Sequence, residues 1–331
     1  MVETPVFDID LDAIAESVRD NLPPEIIRDS RELVERLHGQ AITCMGRRVI
    51  DIFRENLDIM GFTPDAGELS AWARALDCDP DIVLVANLWS DYRLEPISLG
   101  PCVAAVSERG PFLAKAAGWD EQSHPGGTVH ALRFHRRGVP RFQLAGHPGL
   151  VGSTAGCSAN GFALALAWLD QRCRFPFNEP LMLGMRRALE EINEEVRAFQ
   201  WCEWLLPMDS DVASAFAGAW EFPPIRFTRS RTLNSLDAWR GGCLVASRIT
   251  GISQLPGHQG RTPWGGAPTP IQEDQAIQRL MDVCAQEGLS PTQVVLMHPR
   301  EYKLSVFRIP AMGGTGLAPG GDHQAERACD Q

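Results

Sequence analysis

The stretch GPCVAAVSERGPFLAKAAGWDE, residues 100–121, places two short apolar runs on either side of Gly110 and Pro111. Small and β-branched residues fill CVAAVS and FLAKAA, and the Gly-Pro pair between them is typical of a reversal of the chain. The pattern predicts a β-hairpin that opens at Cys102. A cysteine directly after a Gly-Pro pair, at the first position of a strand, calls for an explanation beyond packing.

The residues before this hairpin are mainly helical by pattern. Apolar side chains recur at every fourth position from Leu33 to Leu57, which predicts one long amphipathic helix or two helices joined at Gly46. Asp79 and Pro80 have the character of an N-cap and a first-turn proline, so the segment that follows favours a further helix. Its β-branched residues are also compatible with a strand.

The residues after the hairpin alternate between strand-like and helix-like segments. VHALRFH and RFQLAG predict a second hairpin, and the glycine-rich PGLVGSTAGCSANG precedes another apolar strand. Helical patterns follow over residues 181–199 and up to Gly288, and VVLMHPREYKLSVFRI predicts a closing hairpin. Because no βαβ alternation or internal repeat is visible, the order indicates one α+β domain with helices outside two antiparallel layers.

Composition excludes several classes of function. A formal net charge of -11 over 331 residues, without a clustered basic face, argues against a nucleic-acid partner. No membrane-spanning run and no signal peptide is visible, so we expect a cytoplasmic protein. The nine cysteines form no CxxC pair and no zinc-like cluster with histidine, so we expect reduced thiols and neither a metal nor another cofactor. GxSxG, P-loop, HExxH and GxGxxG motifs are absent, which leaves thiol chemistry.

The segment from Asn87 to Glu121 resembles the cleavage-site region of the cysteine N-terminal nucleophile (Ntn) hydrolases, in particular the acyl-coenzyme A:6-aminopenicillanic acid acyltransferase and acid ceramidase-like group. Later segments are similar to this family in the same order, among them PGLVGSTAGCSANGFALAL, TLNSLDAW and GGCLVASRITGI, so that the resemblance covers roughly residues 70–310. It implies an αββα sandwich of two antiparallel sheets between helical layers. It also implies a helical pro-segment over residues 1–101 and a catalytic core over 102–310, and the composition of residues 311–331 predicts a disordered tail.

The mechanism of that family gives the opening stretch a chemical purpose. Inside the chain the nitrogen of Cys102 is an amide and cannot accept a proton. Cleavage of the Pro101–Cys102 bond would create an α-amine with a pKa of about 7.7 to 8, beside a thiol with a pKa of about 8.5. One residue would then supply both nucleophile and base, and an acyl thioester would pass to water or to an amine.

The resemblance implies roles for four further residues. Asp120 would hold the new α-amine, and Asn234 would donate its side-chain N–H to the oxyanion. A backbone N–H from the glycine-rich turn near Ser158 would be the second oxyanion donor. Arg248 would be the distal cation of a Ser-x-x-Arg helix.

The sequence also departs from the family pattern. Val103 stands where the family has Thr or Ser, and Ala117 and Gly118 stand where it has a basic or amide residue and Asn. The cation that would lower the thiol pKa is therefore missing from its usual place, and Lys115, on the same strand face as Ala117, is a candidate substitute. The ring of Pro101 hinders attack on its carbonyl, whereas strain at this residue would favour the attack.

Other nucleophiles and other functions stay open. Cys157 is a second candidate thiol, although a packed small residue is the better interpretation. His124, His130, His135 and His147 lie near Cys102 in sequence but carry no papain-like signature. We expect an amide-bond hydrolase acting on a small-molecule acyl amide, with acyl transfer to an amine in natural-product biosynthesis as the alternative. An unprocessed, catalytically silent binding protein is the second alternative, and the sequence is compatible with a homo-oligomer.

Overall fold

The computed structural model describes eleven ranges of the chain, and the statements below concern these ranges: 1–60, 66–92, 100–118, 128–168, 181–192, 213–219, 225–229, 234–238, 243–247, 251–255 and 270–310. They contain seven α-helices, namely α1 Ile14–Asn21, α2 Pro24–Met45, α3 Val49–Met60, α4 Ala66–Leu76, α5 Pro80–Tyr92, α6 Leu181–Glu191 and α7 Glu273–Gln286.

The same ranges contain fifteen β-strands, with a 3-10 turn at Pro299–Glu301 between the last two. The strands are β1 Val2–Glu3, β2 Val6–Asp10, β3 Cys102–Ser107, β4 Gly110–Ala117, β5 His130–Arg136, β6 Val139–Gly146, β7 Ala155–Ser158, β8 Phe162–Trp168, β9 Ala213–Ala219, β10 Ile225–Arg229, β11 Asn234–Ala238, β12 Cys243–Ser247, β13 Gly251–Leu255, β14 Gln293–His298 and β15 Lys303–Arg308.

The strands form two sheets. The first has the order β1-β15-β14-β4-β3-β12-β13, and the second has the order β11-β10-β9-β8-β7-β6-β5-β2. Neighbouring strands pair antiparallel in both sheets, except that β2 lies parallel to β5. The prediction of two antiparallel sheets is therefore confirmed with one correction, which arises because β2 reaches its partner through the helical segment rather than through a hairpin.

Four layers follow from the packing of apolar side chains. The two sheets face each other across an apolar core whose described residues include eight alanines, together with Cys102 and Cys157. Helix α7 covers the outer face of the first sheet. Helices α1 to α6 share one apolar cluster with the outer face of the second sheet, and α1 and α6 lie directly against its strands. The predicted αββα sandwich is confirmed.

The helical segment follows the sequence pattern, with one addition. Of the two alternatives for residues 33–57, the structure has two helices that meet at Gly46, whose φ of +74° is accessible to glycine at little cost. Residues 80–92 form a helix and not a strand. The addition is that β1 and β2 contribute to the sheets, so residues 1–101 are not purely helical.

One predicted helix is wrong. The resemblance implied a Ser-x-x-Arg helix around Arg248, but Cys243–Ser247 and Gly251–Leu255 pair as antiparallel strands on either side of it. The β-branched and apolar residues of CLVAS fit the buried interior of a sheet, where β12 lies beside β3. Arg248 itself and the expected tail, residues 311–331, lie outside the described residues. None of the described helices is both long and apolar enough to cross a bilayer.

Candidate active site around Cys102

Cys102 is the first residue of β3, which lies between β4 and β12 in the interior of the first sheet. Its side chain points into the core between the two sheets and is 0% exposed. The thiol is therefore held by a central strand and walled in by the opposite sheet. A reactive group in this position has a fixed orientation, since its backbone is paired on both sides.

Lys115 lies directly opposite Cys102 in the β3–β4 hairpin. The neighbouring pair is joined by the Ala116 N–H, which donates to the Pro101 carbonyl oxygen at 3.0 Å. Because hydrogen-bonded and non-bonded pairs alternate in antiparallel sheets, Cys102 and Lys115 form a non-bonded pair, the kind in which side chains approach more closely. The Lys115 Nζ is 3.9 Å from the Cys102 Sγ.

Two backbone carbonyls complete the surroundings of the ammonium group. The Lys115 Nζ donates to the Leu166 oxygen at 2.6 Å and to the Gly100 oxygen at 3.1 Å. Leu166 belongs to β8 of the second sheet, and its oxygen also accepts from the Cys102 Sγ at 3.3 Å. The site therefore joins both sheets and the residues just before the proposed cleavage point.

Burial dominates the electrostatics of this pair. Loss of solvent raises the pKa of the Cys102 thiol, and the nearby Lys115 lowers it by a smaller amount. Lys115 is 1% exposed, and burial lowers its pKa. No carboxylate among the described residues contacts this lysine to compensate. In the uncut chain both groups are consequently favoured in their neutral forms.

The second candidate thiol has different surroundings. The Cys157 Sγ lies 4.0 Å from each of the carbonyl oxygens of Ser158 and His298, and a hydrogen bond with the backbone of Lys303 lowers its pKa by less than burial raises it. Burial raises its pKa to about 12. With no cation beside it, Cys157 has the character of a packed small residue.

Ser158 ends β7, and its side chain has the bonding of a turn residue. The Ser158 Oγ accepts the backbone N–H of Asn160 at 3.1 Å. Among the described residues, none of the hydrogen bonds of Ser158 involves Cys102. The glycine-rich segment also lets a helix approach, since a Cβ on Gly156 would lie 2.3 Å from the Leu189 Cδ1.

Most of the other site residues that the resemblance implies lie outside the described residues. Asp120 and Arg248 lie outside the described residues, and Asn234 is described by its backbone alone. Asn234 begins β11, three strands from β8 in the second sheet, which corresponds to roughly 14 Å along the sheet. The structure thus brings Lys115 to Cys102, on the strand paired with β3.

The predicted histidine alternative finds no support in the contacts of Cys102. His135 Nε2 lies 2.7 Å from the Asp8 Oδ1, and the ring of His130 packs edge-on against Phe7, so both belong to the edge of the second sheet. His124 lies outside the described residues. Within the described part of the chain, no group of His, Cys, Asp and Glu side chains could hold a metal ion.

The structure explains why Gly118 differs from the family pattern, which has Asn at this position. Its φ is +65°, and a Cβ at this position would lie 2.5 Å from both the Gln293 Oε1 and the Thr292 Oγ1. The carbonyl of Gly118 accepts the Thr292 N–H at 2.7 Å, which fixes the end of β4 against the start of β14. This fold therefore has no room at residue 118 for the side chain that the family carries there.

The polar groups nearest to Cys102 that sequence reasoning missed are main-chain atoms. The carbonyls of Gly100 and Leu166 and the N–H of Ala116 carry no side-chain signature. The hairpin register could have revealed Ala116, because a two-residue loop at Glu108 and Arg109 places it opposite Pro101.

Several solved structures are similar to this chain, among them the following three. The N-acylethanolamine-hydrolyzing acid amidase (NAAA) ortholog of Caenorhabditis elegans has 13% sequence identity and a TM-score of 0.45, over 63% of this chain and 100% of that one. Penicillin V acylase from Agrobacterium tumefaciens has 9% identity and a TM-score of 0.33, over 60% and 80%. Anbu (ancestral beta-subunit) from Yersinia bercovieri has 12% identity and a TM-score of 0.36, over 63% and 86%.

No protein-family model and no curated protein sequence matches the chain. At TM-scores below 0.5, the three structural similarities carry no argument about activity. The layer order is visible in the structure itself, with two stacked sheets between helices and Cys102 at the start of a central strand. The chain has the αββα order of layers that its resemblance to the cysteine Ntn hydrolases implies.

Proposed function

We propose that this chain is an amide-bond hydrolase or acyltransferase whose nucleophile is the Cys102 thiol, exposed as a chain end by cleavage after Pro101. The observation that carries the proposal is the pairing of Cys102 with Lys115 at the start of a central strand, with the lysine Nζ 3.9 Å from the sulfur. The Cys102 thiol has a hydrogen bond to the side-chain amine of Lys115, and a cationic group beside a thiol is the feature expected of a nucleophile.

Cleavage would change the chemistry of the site in two ways. The Cys102 nitrogen would become an α-amine able to take the thiol proton and pass it to a leaving amine. The new end at Pro101 would be free to move away, which would release Gly100 from Lys115 and open a site that is closed in the uncut chain. The lysine cation would then favour the thiolate.

The reaction follows from these groups. The Cys102 sulfur attacks the carbonyl carbon of a small-molecule acyl amide, the amine leaves with a proton, and an acyl thioester remains. Water releases the acyl group as an acid, and in the alternative reaction an amine accepts it. We further propose that Asp120 holds the new α-amine. Asn234 and a backbone N–H near Ser158 remain proposed donors to the oxyanion, and Arg248 a proposed distal cation.

The test measures processing and acylation separately. Intact-mass analysis of the purified protein should show two fragments in place of a single 36.4 kDa chain, and N-terminal sequencing should find Cys as a new first residue. Cys102→Ala should stay whole. Cys157→Ala is the matched control, because it removes another thiol from the same core and should be cut as the natural protein is.

The second measurement follows acylation of the processed protein. A panel of N-acyl amides is added, the reaction is quenched in acid, and a fragment beginning at Cys102 and heavier by one acyl group should appear. Adding candidate amines distinguishes transfer from hydrolysis by the product. An uncut natural chain whose Cys102 does not react with iodoacetamide would instead indicate the silent binding protein.

A further inference from the structure

Strand β4 directs two polar groups at the Pro101–Cys102 bond. The amine of Lys115 lies beside the thiol, and the N–H of Ala116 points at the carbonyl oxygen of Pro101. We infer that β4 carries the machinery for self-cleavage, with Lys115 as the base that takes the thiol proton and the Ala116 N–H as the donor that stabilises the oxyanion. This inference rests on the function proposed above and concerns the maturation step.

The contact of Ala116 is placed where negative charge would develop. When the sulfur attacks the carbonyl carbon of Pro101, the carbonyl oxygen becomes an oxyanion, and the Ala116 N–H already donates to that oxygen at 3.0 Å. Proline has no N–H of its own, so the bond between these two residues runs in one direction only. The donor is held by a strand paired on both sides and needs no rearrangement.

Lys115 is placed to act as a base. Its Nζ is 3.9 Å from the Cys102 Sγ, and its other partners are two neutral carbonyl oxygens. The titratable group that faces it is Cys102 on β3, and Cys284 on α7, at the other face of the sheet, acts on it only electrostatically. The opposite sheet presents the carbonyl of Leu166. Burial among neutral groups lowers the pKa of Lys115, which favours the free amine that accepts a proton.

The chemical step balances with water as the only co-reactant. Lys115 takes the proton of the Cys102 thiol, and the sulfur forms a bond to the carbonyl carbon of Pro101. As the bond from that carbon to the Cys102 nitrogen breaks, the lysine ammonium returns the proton to the departing amine. Water then hydrolyses the thioester, leaving a carboxylate on Pro101 and a free thiol and α-amine on Cys102.

The test is the rate of self-cleavage of the full chain, pulse-labelled in a cell-free translation reaction and chased in buffers of different pH. Lys115→Met should slow cleavage by about 10²- to 10⁴-fold, the usual contribution of a positioned base. Lys303→Met is the matched control, because it removes the other lysine of the chain, which is exposed, and should leave the rate unchanged. Cooperative thermal unfolding of uncut Lys115→Met, compared with Cys102→Ala, shows whether it folds.

Two readouts distinguish a base from a fixed charge. Lys115→Arg keeps the cation but cannot accept a proton, so it should cleave as slowly as Lys115→Met; recovery of the natural rate in this variant would overturn the assignment of a base. If Lys115→Arg does not fold, the dependence of the cleavage rate on pH distinguishes the two roles. The natural chain should cleave faster as pH rises through the lowered pKa of Lys115, and the same profile in Lys115→Met would overturn the inference.

The outcomes separate this inference from the proposed function. A natural chain that is never cut, at any pH, refutes both. A natural chain that is cut, together with a Lys115→Met chain cut within about threefold of the same rate, overturns only the role given to β4.

Discussion

Asn87 joins the helical segment to the glycine-rich turn, and its removal should cost much of the stability of the fold. The side chain is 3% exposed and lies on α5. Its Nδ2 donates to the carbonyls of Gly149 at 2.7 Å and Val83 at 2.8 Å, and its Oδ1 accepts the Val151 N–H at 2.8 Å. In Asn87→Ala, the carbonyl of Gly149 and the N–H of Val151 would stay buried without this partner.

The magnitude follows from those two groups. A buried polar group left unsatisfied costs about 1–3 kcal/mol, so two of them give about 2–6 kcal/mol. Val83 adds little, because its carbonyl lies within α5 and can also accept a helical bond. We therefore expect the free energy of unfolding to fall by about 4 kcal/mol.

Urea denaturation measures this loss, with both proteins carrying Cys102→Ala so that the chain stays whole and the unfolding remains that of one polypeptide. Ser90→Ala is the matched control, since it lies on the same helix and removes one local bond, from Ser90 Oγ to the Asn87 carbonyl at 2.8 Å. It should cost about 1 kcal/mol or less. A loss below about 1 kcal/mol in Asn87→Ala would refute the reasoning.

Two further predictions concern conformation and pH. Gly118→Ala should lower the melting temperature more than Gly138→Ala, measured by circular dichroism, because both glycines have positive φ (+65° and +70°) but only Gly118 has atoms in the way of a Cβ; equal losses would contradict the clash. His130→Phe should remove a dependence of stability on pH: burial, with a smaller effect of Arg308, lowers the pKa of His130 to about 4. Between pH 6.5 and 4 the native state then binds fewer protons at His130 than the unfolded chain does. The contribution of neutral His130 to the free energy of unfolding, on the order of 3 kcal/mol, is therefore complete above pH 6.5 and is lost as pH falls towards 4. Urea titrations in which the free energy of unfolding of both proteins depends on pH with the same slope between these values would contradict this prediction.

The local elements were largely readable from the sequence because short-range rules determine them. The hairpin from Cys102 to Ala117 has alternating residues and a turn signal, although the loop is Glu108 and Arg109, and the predicted turn residues Gly110 and Pro111 begin β4. This two-residue loop sets Lys115 opposite Cys102. The amphipathic helices on either side of Gly46 follow from the spacing of apolar residues.

What the sequence did not reveal depends on contacts between distant segments. Strand β1 is only two residues long, and the apolar-polar alternation of β2 covers just Phe7 to Asp10, so both strands depend on pairing with β15 and β5. The contact of Leu166 with Cys102 joins two sheets and involves a carbonyl that any residue would supply. The prediction of a helix around Arg248 was wrong because Cys243–Ser247 pair with β3 in the interior of a sheet, and this tertiary context outweighs the local similarity to the family.

The first ten residues have a consequence for solubility. β1 adds to β15 at one end of the first sheet, and β2 adds to β5 at one end of the second. An unpaired strand at the border of a sheet is a template on which other molecules can add by hydrogen bonding, which leads to aggregation. A single short run of chain therefore shields one border of each sheet, and a chain lacking it would present β15 and β5 to its neighbours in solution.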